Sequence, residues 1–143
     1  MRVLLNVALV CLLAGSLLSP LSATDPIETD RAERGKRLFR IYCTNCHGNT
    51  GLGDGPSADL LLVKPADLTR IRAENGGRFP FDEVLQKIDG RAEIESHGPR
   101  QMPIWGIALQ EWDKDTDQRA EIAGRLLELT TFVKSIQRPA EEP

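Results

Sequence analysis

Cys43-Thr44-Asn45-Cys46-His47 places two thiols three residues apart, with an imidazole directly after the second. On a helix, positions three and four apart share a face, so all three side chains project the same way. Upstream, Asp30 followed by Glu33 has the spacing of a capping box, the carboxylate taking an orphan backbone N–H. Ala32, Leu38, Phe39 and Tyr42 then recur at helical spacing, which predicts a helix from about 30 to 47. Downstream, Gly48, Gly51, Gly53, Gly55 and Pro56 enforce a loop.

Further along, Leu60 to Val63 reads as one helical turn closed by Pro65. A helix is predicted from Phe81 to Asp89, with Val84, Leu85 and Ile88 inward and Gly90 as its stop. Gly98, Pro99 and Pro103 make 91–103 irregular. The last helix, from about Thr116 to Gln137, carries Ile122, Leu126, Leu129, Val133 and Ile136 as one apolar stripe, and Pro139 ends it. No segment sustains the period-two alternation of a strand. The fold class expected is all-α.

Residues 1–23 open with Arg2, continue as an apolar run and end Leu21-Ser22-Ala23, the pattern of a secretory signal peptide. The expected division is therefore a leader, 1–23, and one domain, 24–143, exported to the periplasm. An uncleaved leader serving as an anchor is the alternative. Cys11 falls inside it, and Ala8-Leu9-Val10 lacks the small residue expected just before a lipidated cysteine. Beyond the leader, 17 bases face 21 acids. That balance supplies no basic footprint for nucleic acid. No second stretch approaches the ~18–20 apolar residues of a membrane span. The apolar content of 24–143 is lean for a self-sufficient core, and a large buried cofactor would help it.

Cys43 and Cys46 are then the only cysteines of the expected mature chain. A disulfide between them would close a tiny loop and staple little. The run Cys-x-x-Cys-His is the pattern of covalent c-type haem attachment. Two thiols on one helix face can add to the two vinyl groups of a porphyrin, and His47 reaches the iron. A thioredoxin-like dithiol would instead follow a strand at a helix N-terminus. A zinc site would have to recruit His97 or a carboxylate as a further ligand. For the second axial position of an iron, the candidates are Met102 and His97. Pro103 restricts Met102 to extended backbone, a stiff mount for a permanent ligand, whereas His97 precedes Gly98. Met102 is the expected ligand.

Together these residues resemble the class I monohaem c-type cytochromes, particularly small bacterial periplasmic ones. The matching runs are Cys43-Thr44-Asn45-Cys46-His47-Gly48, Gly51-Leu52-Gly53-Asp54-Gly55-Pro56, Lys64-Pro65-Ala66-Asp67-Leu68-Thr69 and Met102-Pro103-Ile104-Trp105-Gly106. The resemblance spans nearly all of 30–137 and matches least over 70–100. It implies terminal helices that cross, with Gly35 and Phe39 facing Leu129 and Phe132, and shorter helices and loops around one haem. A tyrosine is common where Phe132 stands. It also implies a proline carbonyl accepting the other ring N–H of His47, with Pro56 the first choice and Pro65 the second. Trp105 would lie near a haem propionate or in the core.

With His47 and Met102 both on the iron, no open position is left for a substrate, and the haem would carry one electron at a time. The function expected is a periplasmic electron carrier, free or as the cytochrome subunit of a redox complex, and not an enzyme. Its partners would be redox donor and acceptor proteins, membrane-bound complexes or a periplasmic dehydrogenase. The rival is a haem enzyme or gas sensor in which a small ligand displaces Met102. Basic residues on the first helix (Arg31, Arg34, Lys36, Arg37, Arg40) and acidic ones between Glu111 and Glu121 are ordinarily solvated faces, and either could steer a partner.

Overall fold

The computed structural model describes residues 25–91, 102–110 and 118–139. Leader residues 1–23, His97 and most of the 111–121 acidic stretch lie outside the described residues. Helix α1 spans Pro26–Tyr42, α2 Thr44–His47, α3 Ile71–Glu74, α4 Phe81–Asp89, α5 Trp105–Ala108 and α6 Arg119–Ser135; a 3-10 turn covers Ala58–Leu60. Among the described residues there is no strand, and they form an all-α fold as expected. No helix among them is long and apolar enough to cross a membrane.

The first helix begins earlier than its sequence spacing suggests. Asp25, not Asp30, is the N-cap: its carboxylate accepts the Ile27 N–H at 2.9 Å, and Pro26 occupies the first turn. An acidic cap followed by proline suits a helix start because the missing N–H of proline would be an orphan there. Asp30 sits one turn inside and pairs with Arg34. The far end also differs, since the helix breaks at Cys43 (φ −114°, ψ −29°) before α2 resumes.

Phe39, Ile122, Leu126 and Leu129 form the best-buried part of the core, each at most 2% exposed. Burying side chains of this kind stabilises by about 1.5–3 kcal/mol apiece. They lie where α1 packs on α6. The two helices approach closest at Gly35, where a Cβ would stand 1.9 Å from the Glu128 carbonyl oxygen. One turn on, the Phe39 and Phe132 rings meet at 5.0 Å between centroids. The four residues expected to face each other therefore do meet in this helix pair. Across its edge Arg34 reaches Glu128 at 2.6 Å and Lys134 reaches Glu28 at 2.6 Å.

The buried face of α6 is wider than its apolar stripe. Thr130 and Thr131 are buried too, which their hydroxyls permit by donating to the Leu126 and Leu127 carbonyls at 2.8 and 2.7 Å. Helix α4 has the bounds its sequence predicts, and Gly90 closes it in the left-handed conformation at φ 70°. It packs on α6 through Ile88 and on α5. The turn expected at Leu60 to Val63 lies two residues earlier, at Ala58–Leu60. Leu61 is extended there, and Leu60, Leu62 and Val63 face outward. A run of apolar residues shows that a segment meets something apolar, and not which turn it forms.

Candidate functional site

Cys43, Cys46 and His47 are positioned by the joint between α1 and α2. The joint is kinked: i to i−4 bonds stand on either side of it, and between them the Cys46 N–H reaches only three residues back, to Cys43 O at 3.2 Å. The Cys43 N–H donates to Phe39 O and the His47 N–H to Cys43 O, both at 2.9 Å. The two thiols are free of each other. Cys43 is buried in the core cluster and Cys46 is half-buried. Burial, and secondarily the neighbouring Cys46, push the Cys43 thiol up to about 12. A thiol held protonated is a poor partner for disulfide exchange, and no strand precedes the motif among the described residues. A thioether at the same place carries no charge, so burial suits it.

His47 has a fixed role for each ring nitrogen. Its Nδ1 stands 3.2 Å from the carbonyl oxygen of Ala66, which can only accept, so Nδ1 carries the proton. Burial lowers the pKa of the ring, opposed by that bond to Ala66. The neutral imidazole then keeps its lone pair on Nε2, the form a metal requires. The acceptor is neither proline expected from the resemblance. Pro56 is exposed and lines an open cleft of about 500 Å³ with Thr44, Asn45 and Asp54. The Pro65 carbonyl is packed against Gly53, where a Cβ would lie 2.2 Å from its oxygen. It is the next carbonyl, of Ala66, that meets His47.

The loop after the motif folds back on it. Gly53 N–H donates to His47 O at 2.9 Å and Gly55 N–H to Cys46 O at 3.1 Å. Gly53 holds φ +78°, and a Cβ on Gly55 would meet backbone of 44–46 within about 2.6 Å. Both positions require glycine, one for its conformation and one for its space.

Met102 is half-buried against the cluster containing Phe39, Cys43, Ile88 and Leu109. Three residues later, the Trp105 ring meets Tyr42 at 5.4 Å between centroids. Tyr42 directly precedes Cys43, so the Met102–Trp105 segment is attached to the motif end of α1. Trp105 itself packs on the core.

Among the described residues no three His, Cys, Asp or Glu side chains converge as an ion site, and His97, which a zinc site would have to recruit, lies outside them. A porphyrin asks for something different: two thiols on one turn, a neutral imidazole with Nε2 available, and apolar surroundings. The motif supplies the first two. Tyr42, Leu60, Leu62, Val63, Ile104 and Ile107, on segments flanking the motif and Met102, expose apolar surface that a large apolar ring could cover. The residues present fit the group. Ala66 and Tyr42 belong to this site and carry no motif signal; Ala66 acts through its backbone, which every residue type shares. Compared with family models, with curated proteins and with solved structures, the chain matches none.

Proposed function

We propose that the chain is a periplasmic one-electron carrier of the class I monohaem c-type cytochrome kind. Cys43 and Cys46 would hold one haem c through thioethers, and His47 and Met102 would supply its iron ligands. The observation that carries this is the His47 ring, on the turn that also bears Cys46, with its Nδ1 3.2 Å from Ala66 O, a contact that leaves Nε2 as the nitrogen to ligate. Support for the fold comes from the Gly35 approach of α1 to α6 and the Phe39–Phe132 contact.

When bound, the haem supplies the reversible Fe(II)/Fe(III) couple. This chain's residues then have separable tasks. His47 is oriented by its bond to Ala66, which makes it a more basic ligand. Met102, on backbone stiffened by Pro103, offers a soft sulfur that favours the reduced state. With His47 and Met102 both on the iron, the pair would exclude oxygen and small ligands. The donor and acceptor would be redox proteins, in membrane complexes or as a dehydrogenase in the same compartment.

The test is spectroscopic. Holoprotein should cycle reversibly by one electron, show a weak far-red sulfur-to-iron band when oxidised, and leave carbon monoxide unbound. Met102→Ala should lose the band, drop in potential and bind carbon monoxide. Ready binding of carbon monoxide by the unaltered protein would replace the carrier with a ligand-binding haem protein.

A further inference from the structure

A loop carbonyl holds an imidazole only as firmly as the loop is itself held. Ala66 belongs to the strap 65–72, and its side chain is exposed. Two clamps fix the strap. On the motif side, the Leu68 N–H donates to Gly51 O at 2.7 Å. On the other side stands Gln137, two residues beyond the end of α6. Its Nε2 donates to the carbonyls of Leu68 and Val133, each at 2.7 Å, and its Oε1 accepts the Arg72 N–H at 2.8 Å. The adjacent Arg138 N–H adds a bond to Thr69 O at 2.9 Å. One amide thus ties both ends of the 68–72 stretch to the last helix, starting two residues from the acceptor of His47.

We propose that Gln137 is a positioning residue for His47, acting through the strap to set the reduction potential; this rests on the haem assignment above. The chemistry of the side chain is specific. Glutamate has no donor for Leu68 O, and leucine leaves both Leu68 O and the Arg72 N–H without this partner. Either change loosens the strap, weakens the Nδ1–H···O bond and makes His47 a less basic ligand. The oxidised state then loses stabilisation and the potential rises.

The experiment compares holoproteins carrying Gln137→Leu and Gln137→Glu with the parent and with Leu129→Ala, which weakens the helix pair and keeps both Gln137 hydrogen bonds to the strap. At fixed ambient potential, both Gln137 variants should lower the oxidised-to-reduced ratio roughly three- to tenfold, tenfold being about 59 mV for one electron. His47 ring N–H exchange should quicken in both, and Leu129→Ala should lose stability with its potential unchanged. Gln137 variants that lose stability but keep the parent potential and ring exchange would make Gln137 a structural tie only and overturn the proposal. If the haem assignment fails instead, the parent itself is colourless. In that colourless chain, accelerated ring exchange in the Gln137 variants upholds the positioning role, and unaltered exchange overturns it.

Discussion

Apart from the Gly35 approach to the Glu128 backbone, the contacts between α1 and α6 are side chain on side chain, whereas from residue 43 to 72 they are chiefly backbone on backbone. The helix pair buries Phe39, Ile122, Leu126 and Leu129 almost completely. The second region turns on glycines at positive φ and on bonds such as Leu68 N–H to Gly51 O, while Leu60, Leu62 and Val63 stand 83, 93 and 62% exposed. Those outward apolar side chains are surface that the proposed haem would cover. The helix pair supplies stability, and the motif region supplies geometry.

The sharpest way to break that contrast is Gly35→Ala. Its Cβ would fall on the Glu128 backbone, so the helices must part, and overpacking of this kind costs about 3 kcal/mol or more. Urea unfolding should show it as a lowered midpoint; a midpoint within error of the parent would mean that the pair is not closely packed. Next is Gly53→Ala, strained at φ +78° and directed at Pro65 O, with an expected cost of about 1–3 kcal/mol. Amide exchange should quicken over 51–68 and stay slow in α1 and α6. Uniform quickening would merge the two regions into one cooperative unit.

How far the sequence discloses these regions differs for the same physical reason. Side-chain burial leaves a periodic trace, so the α6 stripe and the bounds of α4 are legible, as is the Cys43–His47 motif. Backbone bonding leaves none. Nothing in the residue type of Ala66 marks it as the acceptor of His47, and Gln137 bonds to residues 65 and 69 positions away. The start of α1 was obscured differently, by a second acidic residue one turn inside a better cap. The prolines expected to face His47 fail because the loop packs on the motif through Gly53 and Gly55.

A smaller effect of opposite sign sharpens the comparison. Gly124, within α6, has open space around its missing Cβ and ordinary helical φ. Gly124→Ala should therefore stabilise by about 0.5–1 kcal/mol, read as a raised urea midpoint. Smallest is the pH response of the strap. Desolvation raises the Asp67 pKa, but hydrogen bonds from the Thr69 N–H and hydroxyl, with Arg138 and Arg70 nearby, outweigh it and leave the pKa lowered. The contribution is therefore complete above the unfolded carboxylate value near 4 and is lost as pH falls from there through the lower folded value. Because Asp67 is largely solvated, a few tenths of a kcal/mol is expected. The stability gap between the parent and Asp67→Asn should narrow below about pH 4. A gap constant from pH 6 to 3 would remove the ionised Asp67 from the account.

The most direct test of the central claim is the intact mass of the protein after export from a host that attaches haem to a control protein, measured after denaturation. One haem should remain per chain and be lost from the variant carrying Cys43→Ala and Cys46→Ala. The mass of the bare polypeptide in the unaltered protein, beside a fully loaded control, would contradict it.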